Sequence, residues 1–251
     1  FELNRTCLKS ILSFTGWNLV GTFAFMTKEQ GINMLLNYFF GPVVNAARGV
    51  AFQVMSAIQG FTSSISVAFT PQLVKNYAEG NYDRSFKLMY TMSKMSYFCF
   101  FAFCVPIILE INTVLNLWLG SNVPEYTNIF TILVLINVLL QNFNLPVTQI
   151  MFASGDITLY QIATSCVNLL HIPLAWILLF FGYNATSVFV MTIILTILNQ
   201  VVCLFVLKNK IISFSLRKYV SKVIVPCLFV TIIAPIIPIS FIMFFDDTTI
   251  V

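Results

Sequence analysis

The amino-acid sequence predicts an all-α integral membrane protein, a bundle of seven transmembrane helices. Of its 251 residues, 59% are hydrophobic and only 9% are charged, whereas soluble domains average about 25% charged residues. The few charges also leave long uncharged runs, and a helix needs about 20 apolar residues to cross the hydrocarbon core. These observations exclude a soluble enzyme, a secreted module and a disordered segment. Outer-membrane strands are excluded because the chain has no short segments of alternating polarity.

Seven predicted spans follow one another, near residues 11–40, 43–74, 85–109, 125–153, 157–181, 185–207 and 220–245. The uncharged run 157–207 is too long for one helix, and the turn-forming Gly182-Tyr183-Asn184 divides it into two spans. Turn-forming residues also separate other spans: Gly41-Pro42, Gly80-Asn81, Gly120-Ser121-Asn122 and Ser154-Gly155-Asp156. The segment 110–119 is interpreted as an interfacial extension of the third span.

The basic residues are confined to one side of the predicted membrane. If the chain starts in the cytoplasm, the inner side holds Arg5, Lys9, Lys75, Arg84, Lys87, Lys208, Lys210, Arg217, Lys218 and Lys222, with Lys94 a few turns deeper. The opposite loops hold no Lys or Arg, and their charged residues are acidic: Glu125, Asp246 and Asp247. Because cytoplasmic loops are enriched in Lys and Arg, we expect a cytoplasmic N-terminus. The net charge of +4 is then a topology signal, and no nucleic-acid partner is expected.

Polar residues form stripes inside several spans, because residues advance by about 100° along a helix. The first two stripes are Thr15, Asn18, Thr22, Glu29, Gln30, Asn33 and Asn37, and then Asn45, Arg48, Ser56, Gln59, Thr62, Ser63, Ser66 and Thr70. Weaker stripes follow in spans four to six: Asn137, Gln141, Asn144 and Thr148; Gln161, Thr164, Ser165, Asn168 and His171; Thr192, Thr196, Asn199 and Gln200. Such stripes face each other or a watery cavity rather than lipid. For spans four to six, hydrogen bonding between helices and the lining of a cavity both remain open.

Three formal charges lie inside the first two spans: Lys28, Glu29 and Arg48. Because an intramembrane ion is energetically unfavourable, a functional role is the default hypothesis. For Arg48 the structural alternative is a pair with Glu29 that only holds the first two helices together. Lys28 is turned about 160° from Gln30, so it joins a cavity, extends its side chain towards the membrane surface or pairs with a neighbouring helix. His171, the single histidine, is either a cavity residue or a hydrogen-bonded packing residue. The candidate substrate-cavity residues are Arg48, Glu29, Gln30, Asn33, Asn37, Asn45, Gln59, Lys28 and His171.

Several motifs carry a resemblance to a known family. They are Gln30-Gly31-Ile32-Asn33, Leu36-Asn37, Phe39-Phe40-Gly41-Pro42, Asn45-Ala46-Ala47-Arg48-Gly49-Val50-Ala51, Pro71-Gln72 with Lys75, Tyr77-Ala78-Glu79-Gly80, Leu117-Trp118-Leu119-Gly120, Val123-Pro124-Glu125-Tyr126, and Ala153-Ser154-Gly155 with Tyr160-Gln161. In these motifs the chain resembles the lipid-linked oligosaccharide flippases, the O-antigen and capsule exporters of the multidrug/oligosaccharidyl-lipid/polysaccharide (MOP) superfamily. One departure is Asp156, at a position where many relatives have a basic residue.

The resemblance implies two six-helix lobes with two further C-terminal helices, as in a MATE-like transporter. Residues 1–212 would then form the second lobe, and residues 213–251 would form the first extra helix, cut at its end. The first lobe of the same chain would lie outside the printed sequence, which accounts for the odd number of spans.

The resemblance also implies a transporter in the bacterial inner membrane rather than an enzyme, with no catalytic residues. Its substrate would be an undecaprenyl-pyrophosphate-linked oligosaccharide repeat unit, moved by alternating access for surface polysaccharide biosynthesis. The lipid tail would remain among the bilayer lipids, amide side chains would bind the sugars, and Arg48 would bind the pyrophosphate. Glu29 is a candidate for coupling to H⁺ or Na⁺. No cofactor or metal is expected, since the six cysteines have no metal-ligand or disulfide spacing.

Other functions stay open at this point. A multidrug or toxic-compound cation antiporter of the same superfamily would share the fold but would need an aromatic, acidic cavity. A polyprenyl-phosphate membrane transferase would need clustered carboxylates to hold a metal, and the nine acidic residues are scattered. A structural or scaffolding membrane protein is a further alternative.

Overall fold

The computed structural model describes residues 5–120, 122–236 and 238, and every regular element within them is helical. The elements are α1 (Arg5–Phe40), α2 (Pro42–Ala78), α3 (Tyr82–Leu109), α4 (Ile111–Leu119), α5 (Thr127–Gln141), α6 (Asn144–Ala153), α7 (Thr158–Phe180), α8 (Ala185–Lys210), α9 (Leu216–Tyr219), a π-helical turn (Val220–Ile224) and α10 (Val225–Ile233). We name α9, the π-helical turn and α10 together the last helix. The predicted all-α class is confirmed.

Four helical segments are long and apolar enough to cross a membrane, so the chain is a multi-pass membrane protein. They are Tyr82–Leu109, Thr127–Ala153, Thr158–Phe180 and Ala185–Lys210. The helices α1 and α2 are longer, with 36 and 37 residues, and they are more polar. Part of the predicted seventh span, together with Asp246 and Asp247, lies outside the described residues.

Two predicted spans differ from the observed helices. The fourth is divided at Asn142 and Phe143 into α5 and α6. The Asn142 side chain donates a hydrogen bond to the Val138 carbonyl, and Pro146 has no N–H to donate to the Asn142 carbonyl. The segment 110–119 is a separate short helix, α4, rather than an extension of α3, because Glu110 leaves the helical conformation.

The contacts between helices show their relative directions. The pairs Phe14–Phe152, Asn18–Gln161 and Gly31–Ile172 join successive points of α1 to the α6–α7 region in the same order, so α1 and α7 run parallel. The pairs Phe86–Phe214, Tyr90–Tyr219 and Tyr97–Thr231 likewise place α3 and the last helix parallel to each other. The short turns at Gly41, Gly80 and Gly182 each reverse the chain.

These directions place the basic residues at one end of the bundle. The helices α1, α3, α7 and the last helix begin at this end, whereas α2, α6 and α8 end there. The basic residues of those termini are Arg5, Lys9, Lys75, Arg84, Lys87, Lys208, Lys210, Arg217, Lys218 and Lys222. We call this the basic end; the described turns at the opposite end contain no Lys or Arg.

Asp156 links two chain segments at the basic end. Its carboxylate lies 3.0 Å from Lys210 Nζ, which also donates a hydrogen bond to the Asp156 carbonyl. The same carboxylate accepts the Thr158 N–H at 3.1 Å, at the start of α7. The Lys210 hydrogen bond and then the Thr158 N–H hold the pKa of Asp156 below its ordinary value. Asp156 therefore joins the α6–α7 turn to the end of α8.

Glycines allow α1 to approach α7 closely. A Cβ atom at Gly31 would lie 2.7 Å from Ile172 Cδ1, and one at Gly21 would lie 2.0 Å from Gln161 Oε1. Real Cβ atoms do not make such short contacts, so a larger side chain at either position separates the helices or displaces the partner. At Gly16, on the same helix, the corresponding space is open.

The substitution Gly31→Leu tests this packing against Gly16→Leu. Both changes gain helix propensity of about 0.5–1 kcal/mol, but only the first forces overpacking, which costs about 1–3 kcal/mol. We expect Gly31→Leu to lower the melting temperature of the intact protein in detergent, and Gly16→Leu to leave it equal or higher. Equal melting temperatures for the two variants would contradict the close approach of α1 and α7.

The pH dependence of stability tests the Asp156 link. A carboxyl whose folded pKa is depressed stabilises the fold above its unfolded pKa, about 3.9, and this contribution is lost as the pH falls through the folded pKa. Asp156→Asn should therefore reduce stability at pH 7 by less than about 1 kcal/mol, because the pair is solvent-screened. The difference from wild type should shrink as the pH falls below the ordinary pKa of an aspartate and disappear once the pH is below the depressed pKa of the folded state. Glu125→Gln, which removes an exposed loop carboxylate, is the control, and a deficit for Asp156→Asn that persists at low pH would refute the link.

Candidate functional site

Two adjoining cavities lie between the helices. The Arg48 cavity has a volume of about 650 Å³ and is lined by α1, α2, α5 and α8. The His171 cavity has a volume of about 420 Å³ and is lined by α1, α5, α6, α7 and α8, with one residue of α2. Four residues line both: Phe25, Gln59, Val138 and Gln141. The cavities therefore form adjacent parts of one polar region inside the bundle.

A chain of ion pairs, which we name the charged triad, lies between the cavities. Glu29 Oε2 lies 2.7 Å from Arg48 Nη2, and Glu29 Oε1 lies 2.9 Å from Lys28 Nζ. The side chains of Arg48, Lys28 and Glu29 are 12%, 6% and 24% exposed, respectively. Arg48 and Glu29 line one cavity and Lys28 lines the other. Two cations thus share one carboxylate, which leaves a net positive charge.

The triad lies well inside its helices. Arg48 is six residues from the start of α2, which is about 9 Å along the helix axis. Glu29 is eleven residues from the end of α1, or about 16 Å. At such positions an ion requires partners. Besides the ion pairs, Arg48 Nη1 donates a 3.3 Å hydrogen bond to Asn33 Oδ1.

Two aromatic rings complete the surroundings of the cations. The Arg48 guanidinium lies 4.4 Å from the centroid of the Phe52 ring, and Lys28 Nζ lies 4.7 Å from that of Phe25. Such cation–π contacts stabilise a partly desolvated cation. These contacts also hold Lys28 against the surface of α1 and Arg48 against the surface of α2. Both helices therefore position the triad.

His171 is buried against α7 itself. Its Nδ1 is 2.9 Å from the Val167 carbonyl oxygen, and the side chain lines the His171 cavity. Among the described residues, Nε2 has no hydrogen-bond partner. The structure thus combines the two roles considered for this residue, helix packing and lining of a cavity.

Unpartnered amide atoms accompany the cavities. Among the described residues, several buried oxygens of cavity-lining asparagines have no hydrogen-bond partner: Asn45 Oδ1, Asn137 Oδ1, Asn144 Oδ1 and Asn199 Oδ1. Buried polar atoms are normally paired with protein or water. These side chains border open space, so water or a ligand hydroxyl is the natural partner for their oxygens.

The structure brings most of the candidate residues together. The Arg48 cavity is lined by Glu29, Gln30, Asn33, Asn45, Arg48 and Gln59, and the His171 cavity by Lys28, Gln59 and His171. Asn37 is the exception, since it is exposed and lines neither cavity.

The strength of a polar stripe in the sequence does not predict how many of its residues line a cavity. All four residues of the α5–α6 stripe line a cavity, as do most of those on α7 and α8. On α2, by contrast, only Asn45, Arg48 and Gln59 do so. The others bond locally where their bonds are described: the hydroxyls of Thr62 and Ser63 donate to carbonyls three residues earlier.

The two rings that contact the cations of the triad, Phe25 and Phe52, were not predicted from the sequence. Each is a phenylalanine among 26 in the chain, so composition does not distinguish it. The available signal is spacing: Phe25 precedes Lys28 by three residues and Phe52 follows Arg48 by four. Residues three and four apart are neighbours on a helix surface, which places each ring beside its cation.

Comparison with known proteins adds no family assignment. The chain matches no family model, no curated protein and no solved structure.

Thiol labelling distinguishes a hydrated cavity from a lipid-facing surface. Thr196 lines the His171 cavity, whereas Ile197, at almost the same depth on α8, is 49% exposed on the outer surface. In a cysteine-free background, we expect Thr196→Cys to react with a charged, membrane-impermeant maleimide in open membranes. Ile197→Cys should react much more slowly because hydrocarbon excludes the reagent and disfavours the thiolate. Faster labelling at position 197 would refute a hydrated cavity.

Proposed function

We propose that this chain is part of a flippase that moves lipid-linked oligosaccharides across a membrane. The observation that carries the proposal is the charged triad, a net positive group of partly buried side chains between two polar cavities. An intramembrane cation beside open polar space suits a substrate with an anionic group that must cross the bilayer. The motif resemblance to the oligosaccharide flippases of the MOP superfamily supports the same substrate class.

The guanidinium of Arg48 retains capacity to bind a pyrophosphate. It has five N–H donors, and its hydrogen bonds within the described chain use one donor to Glu29 and one to Asn33. The remaining donors are available to phosphate oxygens, which an arginine binds through paired hydrogen bonds. The charge of Glu29 is shared with Lys28, so it does not neutralise Arg48 fully.

The oligosaccharide would occupy the amide-lined parts of both cavities. An Asn or Gln side chain supplies donors and acceptors at once, which suits the hydroxyls of a sugar. The unpartnered oxygens of Asn45, Asn137, Asn144 and Asn199 provide acceptors for them. The undecaprenyl tail would stay in the bilayer, so only the headgroup has to fit the polar region.

The helix directions support the proposed topology. In a seven-span chain the first, third, fifth and seventh spans run the same way, as α1, α3, α7 and the last helix do. The basic end would then face the cytoplasm of a bacterial cell, by the rule that cytoplasmic loops carry Lys and Arg. Residues 1–212 would form a six-helix lobe, followed by an additional helix in 213–251.

Transport would proceed by alternating access against a first lobe of the same protein. The cavities would face that lobe, and the substrate would bind between the two. Glu29 is the proposed coupling group for H⁺ or Na⁺, because protonation or cation binding at its carboxylate weakens both ion pairs of the triad. A cation-exporting drug antiporter is less well supported, since the net positive charge of the triad repels its substrates.

Export measurements on Arg48 variants test the proposal. Arg48→Ala leaves the Lys28–Glu29 pair in place, so we expect normal membrane levels but export reduced about 10- to 100-fold, the equivalent of about 1.5–3 kcal/mol for a charged hydrogen bond. Arg48→Lys should retain part of the activity because it keeps the charge but loses the paired donors. The readout is surface polysaccharide together with cytoplasmic accumulation of the lipid-linked precursor.

Arg84→Ala is the control, because it removes an exposed arginine outside both cavities. It should export normally. Normal export by Arg48→Ala, or an equal loss in the Arg84→Ala control, would contradict the role given to Arg48.

A further inference from the structure

A second positively charged site lies at the basic end, away from the charged triad. It is a groove with a volume of about 460 Å³ between α3 and the last helix. We name it the lysine groove. Its lining contains four lysines, a single acidic residue and several hydroxyl groups: Lys87, Lys94, Lys218 and Lys222; Asp83; Tyr90, Thr91, Ser213 and Ser215.

The lysines form two pairs on facing helices. Lys87 and Lys94 are seven residues apart on α3, and Lys218 and Lys222 are four residues apart on the last helix, so each pair occupies one helix face. The two helices run parallel and begin at the same end, as the Phe86–Phe214 and Tyr90–Tyr219 contacts show. All four ammonium groups therefore border the same space.

The local charge of the groove is unbalanced. In the described parts of the chain, no carboxylate oxygen lies within 4.0 Å of any of the four ammonium groups. Counting Asp83, the lining carries a net charge of about +3, in a region where two helices are packed together. Like charges that face each other across a helix contact repel, and the repulsion is strongest where the surroundings are partly apolar. An anion bound between the pairs removes this repulsion.

We propose that the lysine groove binds the phosphodiester headgroup of an anionic phospholipid. The groove starts at the first turns of two membrane helices and reaches Lys94, about 18 Å along α3 from its first residue. Helical side chains lean towards the N-terminus, so Lys94 extends back towards the basic end. Lysines at this depth meet a headgroup at the membrane surface by extending their side chains towards it.

The neighbouring surface accommodates the acyl chains. Met95 on α3 and Val225 on the last helix are 45% and 55% exposed, and each follows a groove lysine by at most three residues. Phe229 and Ile232 continue the exposed apolar surface of the last helix. A ligand with a charged head and an apolar tail matches this arrangement, whereas a soluble anion uses only the head site. Basic pockets between membrane helices are a known form of lipid recognition.

The bound lipid joins the last helix to the rest of the bundle. The described contacts between α3 and this helix include the 2.6 Å hydrogen bond of Tyr97 and Thr231. Near the basic end, the four lysines oppose that packing. A lipid phosphate bridging the two pairs converts repulsion into attraction, so occupancy of the groove stabilises the protein whatever substrate it transports.

Lipid-dependent stability of the intact purified protein tests the proposal. Melting temperatures are measured in detergent with added dioleoylphosphatidylglycerol, with dioleoylphosphatidylcholine, or with inorganic phosphate or glycerol 3-phosphate at matched phosphate concentration. We expect phosphatidylglycerol to raise the melting temperature and the other three additions to have little effect. An equal rise with inorganic phosphate would overturn the lipid assignment in favour of a soluble anion.

The variants locate the effect. The double substitution Lys94→Gln with Lys222→Gln should remove at least half of the phosphatidylglycerol-induced rise, and Lys94→Arg with Lys222→Arg should retain it. Lys75→Gln with Lys208→Gln removes the same charge at the basic end outside the groove and should also retain it. If the phosphatidylglycerol-induced rise falls as much in this control as in the groove variant, or does not fall in the groove variant, the lipid does not bind in the lysine groove and the proposal is overturned.

If the variant Lys94→Gln with Lys222→Gln does not fold, the double substitution Lys87→Gln with Lys218→Gln takes its place, because Lys87 and Lys218 are exposed. This pair should likewise lose at least half of the rise. An unchanged rise in this pair overturns the proposal.

Discussion

The constraint on which the site depends is the low-dielectric environment of three charged side chains inside α1 and α2. Glu29 lies between two cations, and the distances of 2.7 Å and 2.9 Å show that both are paired. Removing Glu29 would leave both cations without an ion-pair partner, so the carboxylate holds α1 to α2 and also balances part of their charge. Since one carboxylate serves two cations, the pairing stabilises the fold and still leaves a net positive charge beside the cavities.

The other helices maintain this arrangement by holding polar surfaces around it. The approach of α1 to α7 at Gly21 and Gly31 brings the amides of α7 close to Lys28. The break between α5 and α6 at Asn142 allows one polar stripe to line both cavities. The basic end lies outside this region: there Asp156 and Lys210 fasten the α6–α7 turn to α8. The Asp156–Lys210 pair therefore connects two chain segments, whereas the charges inside α1 and α2 lie beside the cavities.

The sequence was sufficient for the helical class and for many of the polar residues that line the cavities, because charge spacing and the 100° helical period are local properties. It was insufficient where the outcome depends on neighbours. Nothing in the α2 stripe distinguishes Gln59, which reaches both cavities, from Ser66, which lines neither. Asn37 lies one helical turn after Asn33 on the same stripe, yet it lines neither cavity. The pairing of Lys28 with Glu29, its neighbour in the chain, was not predicted, and it proves to be part of the triad.

Inverting all three charges of the triad tests most directly whether its net charge binds substrate or only holds α1 and α2 together. The triple substitution Lys28→Glu, Glu29→Arg and Arg48→Glu preserves both attractions but changes the net charge from about +1 to about −1. A swap of Glu29 and Arg48 alone would place an arginine against Lys28, so the third change is needed. At matched membrane levels and melting temperatures, we expect export of the lipid-linked oligosaccharide to be abolished. Wild-type export by the inverted triad would contradict substrate binding by its positive charge.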